Sequence, residues 1–209
     1  MNKKDLYKID KDISIARTLD SSFYIDENIF KTLVTDIFSS TWQYGLHLNQ
    51  IRNKNIYPIN FLPETLSESI TFTRQDEQIN CISNVCTHRG HIICNSPKKG
   101  NALKCRYHGR VFNLDGKMKN AIGFEGAKNF PSVNDNLDHI NYKHWNNFLF
   151  FRFNKTYKNL SVLSDIDRRL PDFPFEKLYF SEQLSNSFNI NTHWAMYCEN
   201  YLEGFHVPF

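Results

Sequence analysis

Cys86-Thr87-His88-Arg89-Gly90 and, further on, Cys105-Arg106-Tyr107-His108-Gly109 spell C-x-H and C-x-x-H, with sixteen residues between His88 and Cys105. Each arm offers one thiolate and one imidazole and ends on a glycine, whose tolerance of positive φ lets the backbone turn tightly around a small inorganic core. Two short loops at hairpin tips would bring the four ligands Cys86, His88, Cys105 and His108 together. The donor set suits a [2Fe–2S] cluster. Four thiolates leave the oxidised core with a formal charge of about −2, and exchanging two of them for neutral imidazoles brings it to about zero, so an added electron is accepted more easily. Zinc is the competing reading, because Cys/His quartets often bind it. Zinc ribbons and fingers, however, usually pair two cysteines or two histidines within one arm, and these arms are mixed.

Outward from this segment the pattern is that of short antiparallel strands. Trp42, Tyr44 and Leu46 alternate with Gln43, Gly45 and His47; Ile70 and Phe72 alternate with Thr71 and Thr73. Such a period of two marks a half-buried strand. Gln75-Asp76-Glu77 reads as a turn into a strand over 79–83, Asp115-Gly116 as a hairpin turn after 111–114, and a last strand covers 147–153. Before them, Asp26 can cap a helix running to about Ser39, with Ile29, Phe30, Leu33 and Ile37 on one face. Beyond them, 155–165 reads as a polar linker and 170–174 is punctuated by prolines. Strands are expected near Tyr179 and over 188–191, then a helix over 194–202 with Trp194, Tyr197, Cys198 and Tyr201 on one side. The expected organisation is an N-terminal helical segment (1–40), a mainly β, antiparallel sandwich-like domain carrying the two cluster-binding hairpin loops (41–155), and the linker and beginning of an α+β catalytic domain (156–209). Cys81, Cys94 and Cys198 are expected to be inert core thiols, and His47, His139, His144 and His193 surface or structural histidines.

The two arms and their flanks, C-x-H-R-G from Cys86 to Gly90 and C-x-Y-H-G-x-x-F from Cys105 to Phe112, resemble the Rieske motif as ring-hydroxylating oxygenases carry it. In that motif the two Cys hold one iron and the two His the other. The respiratory branch adds a cysteine to each loop and joins them in a disulfide; His91 and Arg106-Tyr107 stand at those places here, so the chain looks like the oxygenase branch.

A second motif, His193-Trp194-Ala195-Met196-Tyr197-Cys198-Glu199-Asn200-Tyr201-Leu202-Glu203-Gly204-Phe205-His206, is similar to the start of the catalytic domain in the Rieske oxygenase α subunit. The resemblance implies that His206 is the first His ligand of a mononuclear Fe(II) bound by two His and a carboxylate on one face. The second His would fall beyond Phe209, so the resemblance implies a C-terminally truncated, partial α subunit. Glu203 matches the acidic residue that, in the family, bridges a Rieske His of one subunit to the iron-bound His of its neighbour. It is the candidate catalytic residue in this chain, since a carboxylate can accept a hydrogen bond from each imidazole. Most members have Asp there. Glu, and the run Glu199-Asn200-Tyr201-Leu202-Glu203, look like the carnitine- and choline-type enzymes that act on quaternary ammonium compounds. His193 stands where Asn is usual.

Composition narrows the partners. With 25 basic against 22 acidic residues, a formal charge of +3, and no Lys/Arg block, the chain has no electrostatic footprint for nucleic acid. Phe148-Leu149-Phe150-Phe151 is far too short to span a membrane, and residues 1–6 lack the apolar core of a secretory signal. Five cysteines, an odd number, suggest a reducing cytoplasm rather than a disulfide scaffold. The resemblance further implies a reductase or ferredoxin as electron donor, O₂ and a small organic substrate, hydroxylation (as of aromatic rings) or oxidative demethylation as the reaction, monooxygenase or dioxygenase, and a homotrimer. A stand-alone Rieske ferredoxin-like electron carrier accounts for the cluster arms equally well, but needs neither the N-terminal helix nor the Glu203/His206 motif.

Overall fold

The computed structural model describes residues 7–154, 162–204 and 207. Its helices are α1 (Ser22–Ile25), α2 (Glu27–Leu33), α3 (Leu48–Asn53), α4 (Val162–Arg169) and α5 (Trp194–Leu202). Its strands are β1 (Gln43–His47), β2 (Ile56–Phe61), β3 (Glu68–Gln75), β4 (Gln78–Ser83), β5 (Leu103–Lys104), β6 (Val111–Phe112), β7 (Met118–Asn120), β8 (Asn141–Trp145) and β9 (Phe148–Arg152). The chain divides into two compact units, 37–181 and the pair of segments 1–36 and 182–209.

Unit 37–181 is built from three antiparallel three-stranded sheets ordered β1-β9-β8, β2-β3-β4 and β5-β6-β7. The alternation read from the sequence sorts side chains between two cores. Leu46, Ile70, Phe72, Cys81, Leu149 and Phe151 pack in one. Ile82, one residue on from Cys81 along β4, points the other way into the second, with Cys86, Ile93, Leu103, Cys105, Phe112, Leu114 and Leu137. The metal-ligand candidates Cys86 and Cys105 thus belong to a packed core. The threonine face of β3 is buried as well. Thr73 Oγ1 donates to the Leu114 carbonyl, and Asn80 Nδ2 donates to the same oxygen at 3.3 Å, tying β3 and β4 to the end of the β6 segment. The Asp115-Gly116 turn joins β6 to β7, with the Gly116 N–H donating to Asn113 O at 3.0 Å.

Several expectations change. The helix that Asp26 caps, by accepting the Asn28 N–H at 2.7 Å, keeps α geometry only to Leu33 and widens into a π turn over Val34–Phe38. The β-branched Val34, Thr35 and Ile37 weaken α-helical propagation there. Of the expected linker, 155–161 lies outside the described residues, and from Val162 the chain is helical. In α4, Val162, Leu163 and Ile166 share a cleft of about 320 Å³ with Trp42, Trp145 and Phe150, and the Trp145 indole N–H donates to Asp167 at 2.9 Å. No strand forms near Tyr179 or over 188–191. Among the described residues no backbone pairs with either segment, and the stretch after Pro174 holds short 3₁₀ turns at Phe175–Lys177 and Glu182–Leu184.

In the other unit α5 forms as expected, but Tyr197 and Tyr201 on its aromatic side are exposed and so is Cys198, which is therefore not a core thiol. His193 caps α5, its Nδ1 accepting the Ala195 N–H at 3.2 Å, and its ring lies among those of Phe23, Tyr24, Phe30 and Trp194. His47, in the first unit described, likewise caps α3 from a buried position. Both are structural histidines.

Candidate metal centre

β4 ends at Ser83, and the next residue, Asn84, is fully buried. Its amide donates to Ser69 Oγ at 3.0 Å and to Cys94 O at 2.7 Å, while its carbonyl accepts the Cys94 N–H at 3.0 Å. Asn84 thereby pins both ends of the loop that follows, and Val85 pairs with Ile92 across its base. Inside that loop the Cys86 N–H donates to His91 O at 2.9 Å and the Gly90 N–H to Cys86 O at 3.0 Å. The second loop repeats the pattern. The Cys105 N–H donates to Arg110 O at 2.9 Å and the Gly109 N–H to Cys105 O at 3.1 Å. Gly90 and Gly109 hold the same place in this frame, at φ +68° and +74°, where an L side chain would be strained. The C-x-H and C-x-x-H arms are therefore one loop shape used twice, with the histidine advanced by one position in the second.

The frame turns the cysteines inward and the histidines outward. Cys86 and Cys105 are buried, and His88 and His108 are exposed. The imidazoles face each other with Nδ1 atoms 3.1 Å apart, and the two thiols lie within hydrogen-bonding reach. Burial pushes the Cys86 thiol upward; the His88 N–H donated to its sulfur opposes this, Cys105 reinforces it, and the Arg110 charge opposes it. Desolvation, followed by the neighbouring His108, Arg110 and Arg89, holds the His88 ring below the ordinary histidine value. That favours the neutral imidazole a metal needs. Among the described residues no three His, Cys, Asp or Glu side chains converge as they would on a single ion. The four ligand candidates form a thiol pair and an imidazole pair, an arrangement that fits a two-metal core of [2Fe–2S] type with one pair on each iron.

Three residues that sequence reasoning passed over brace the loops. Arg110 donates to Thr87 Oγ1 at 3.0 Å, pairs with Asp135 at 3.3 Å, and lies over the Phe130 ring at 5.5 Å. Thr87 in turn donates to Asp135 O at 2.8 Å. Asp135 is held there because Asn136 Oδ1 accepts the Met118 N–H at 2.8 Å and Leu137 is buried in the core below. The position of Arg110, two residues after His108, was the available signal. Tyr107, 54% exposed, stacks on the ligand candidate His108 with centroids 3.8 Å apart and reaches the His91 ring at 5.7 Å.

The second motif is only partly visible. Glu203 is half-buried at the C-cap of α5, its N–H donating to Glu199 O at 2.9 Å. Glu199 is engaged structurally, accepting the Tyr24 hydroxyl at 2.8 Å. His206 lies outside the described residues.

Comparison with known proteins accords with this geometry. Residues 41–131 match the family described as the Rieske [2Fe-2S] domain. The chain is 28% identical over 200 residues to the carnitine monooxygenase oxygenase subunit of Escherichia coli (strain K12), covering 91% of this chain and 51% of that protein. It is 26% identical over 202 residues to the chloroplastic choline monooxygenase of Beta vulgaris, covering 93% of this chain and 44% of that one. The chain thus spans about half the length of these relatives. Its fold is that of a solved quaternary ammonium Rieske monooxygenase, CntA, in complex with L-carnitine (TM-score 0.73, 20% identity, 90% of this chain and 53% of that one). It also matches naphthalene 1,2-dioxygenase (TM-score 0.61, 21% identity, 71% and 34%).

Proposed function

We propose that this chain, which carries a Rieske [2Fe–2S] domain, is the electron-accepting part of an oxygenase α subunit of the quaternary-ammonium type. The observation that carries the reading is the pair of equivalent loops that bury Cys86 and Cys105 and present His88 and His108 with their Nδ1 atoms 3.1 Å apart. In this reading Cys86 and Cys105 hold one iron and His88 and His108 the other. The cluster, when bound, supplies one-electron storage at a potential raised by its two neutral ligands. The buried cysteines keep water from one edge of the site, and the exposed histidines leave the other edge open to an electron donor of reductase or ferredoxin type. Resemblance to carnitine and choline monooxygenases supports a small quaternary ammonium substrate oxidised with O₂. The domain limits 41–155 and 156–209 belong to the same reading, as do a trimeric, cytoplasmic assembly, Glu203 as an inter-subunit bridge and His206 as a ligand of a mononuclear Fe(II). Among the described residues no helix is long and apolar enough to cross a membrane.

The test has two parts. The chain reconstituted with iron and sulfide should bind both in equal amounts and give, on reduction, the EPR spectrum of a His-ligated [2Fe–2S] cluster; zinc without acid-labile sulfide would refute the reading. In a protein extended to the length of its relatives, Glu203→Ala should abolish product formation with that spectrum intact. Undiminished turnover would remove Glu203 from the electron path.

A further inference from the structure

All five cysteines are free, so no disulfide joins the loop of Cys86 and His88 to the loop of Cys105 and His108. Beside the paired ligand candidates, Arg110 bridges the two loops. It leaves the second loop, donates to Thr87 of the first, and closes on Asp135 of a third segment to which Thr87 also donates. The ion pair is sheltered, with side-chain exposures of 12% for Arg110 and 19% for Asp135. Charges so placed act through a medium less polarisable than water and are screened weakly by salt.

We propose that Arg110 is a positioning residue for the cluster, clasping the two ligand loops together and raising the readiness of the cluster to accept an electron. The proposal rests on the [2Fe–2S] reading of the site. Reduction adds one negative charge to the core between the loops, and a fixed guanidinium beside it stabilises that charge. Asp135 offsets part of the effect while holding Arg110 in place. The Phe130 ring under the guanidinium and the Thr87 hydroxyl fix its direction. The two partners therefore act on the potential with opposite signs, whereas simple loosening of the loops would move both variants the same way.

The experiment is a redox titration of the loaded 209-residue chain, followed by EPR at fixed pH and ionic strength, beside the rate of iron release to a chelator. Arg110→Met should lower the midpoint potential and speed iron release. Asp135→Asn should raise the potential, and Arg110→Lys, which keeps the charge, should restore it close to the wild-type value. A potential unchanged or raised in Arg110→Met would overturn the proposal, as would a shift in Asp135→Asn of the same sign as in Arg110→Met. Should Arg110→Met fail to load a cluster, Asp135→Asn and Arg110→Lys decide alone: an Asp135→Asn potential at or below wild type overturns the proposal. A wild-type chain without the reduced-state signal would overturn the cluster reading itself, a result visible before any variant is compared.

Discussion

The Nδ1 atoms of His88 and His108 lie 3.1 Å apart at the tips of two loops whose cysteines are buried beneath them. Each ring thus presents the same nitrogen to its neighbour, within reach of one shared metal ion. With metal bound, both lone pairs would turn to the same iron. The pair is the exposed side of the site, while Cys86 and Cys105 are its buried side.

Exchanging an imidazole for a thiolate should therefore change the potential more than the fold. His108→Cys makes the core more negative, and its midpoint should fall by about 200 mV or more, toward the all-cysteine range. Cys105→Ser, on the buried side, should instead prevent stable cluster assembly. Potentiometry and iron content separate the two results.

Acid should weaken the metal-free chain through His88. Its folded-state value lies below that of a free histidine, through desolvation and then the charges of His108, Arg110 and Arg89. The unfolded chain therefore takes up the proton first. Stability is unaffected well above about pH 6.5, declines as pH falls through that value, and stops declining once pH is below the lowered folded value. Urea midpoints of the metal-free chain at about pH 7.5 and about pH 5.5 should show this decline, and His88→Gln should reduce it.

Asn84 should matter as much as a ligand. Its three hydrogen bonds are made at zero exposure, so Asn84→Ala leaves the Cys94 N–H and Cys94 carbonyl without their partner beside the first loop. A cost of about 2–4 kcal/mol is expected from unsatisfied buried groups. Denaturant titration measures it, and a loss below about 1 kcal/mol would mean that water replaces the amide.

The cysteines should label in a fixed order. Burial pushes the Cys81 thiol far upward and keeps it unreactive, whereas Cys198 lies exposed on α5. Iodoacetamide on the loaded protein at neutral pH should modify Cys198 and leave Cys81 and Cys94 untouched until denaturant is added, as peptide mass mapping would show. Prompt labelling of Cys81 would contradict the packing of β4.

Short-range patterns were legible without coordinates. The C-x-H and C-x-x-H arms, the alternation in β1, β3 and β4, the Asp26 cap and the Asp115-Gly116 turn are each written within a few residues. Where a segment lacked a local signature, or carried one its surroundings did not support, the reading failed. The polar content of 155–165 hid the apolar side of α4, which shares a cleft with Trp42 and Trp145 from distant strands. A strand was expected over 188–191, but a strand exists only where another backbone takes its hydrogen bonds.

What the sequence offered by itself, then, was the chemistry: which four side chains are candidates to bind metal, and the mainly β frame that presents them. Tertiary structure decided how that chemistry is held. Thr87 and Asp135, 48 positions apart, meet only because the segment around Asp135 folds back onto the β6–β7 hairpin. Arg110 finds both there. Ligand spacing is carried by covalent chain geometry and survives as a pattern of letters. A clasp between two loops depends on distant segments closing on each other, and its members leave no mark in the sequence until packing brings them within hydrogen-bonding distance.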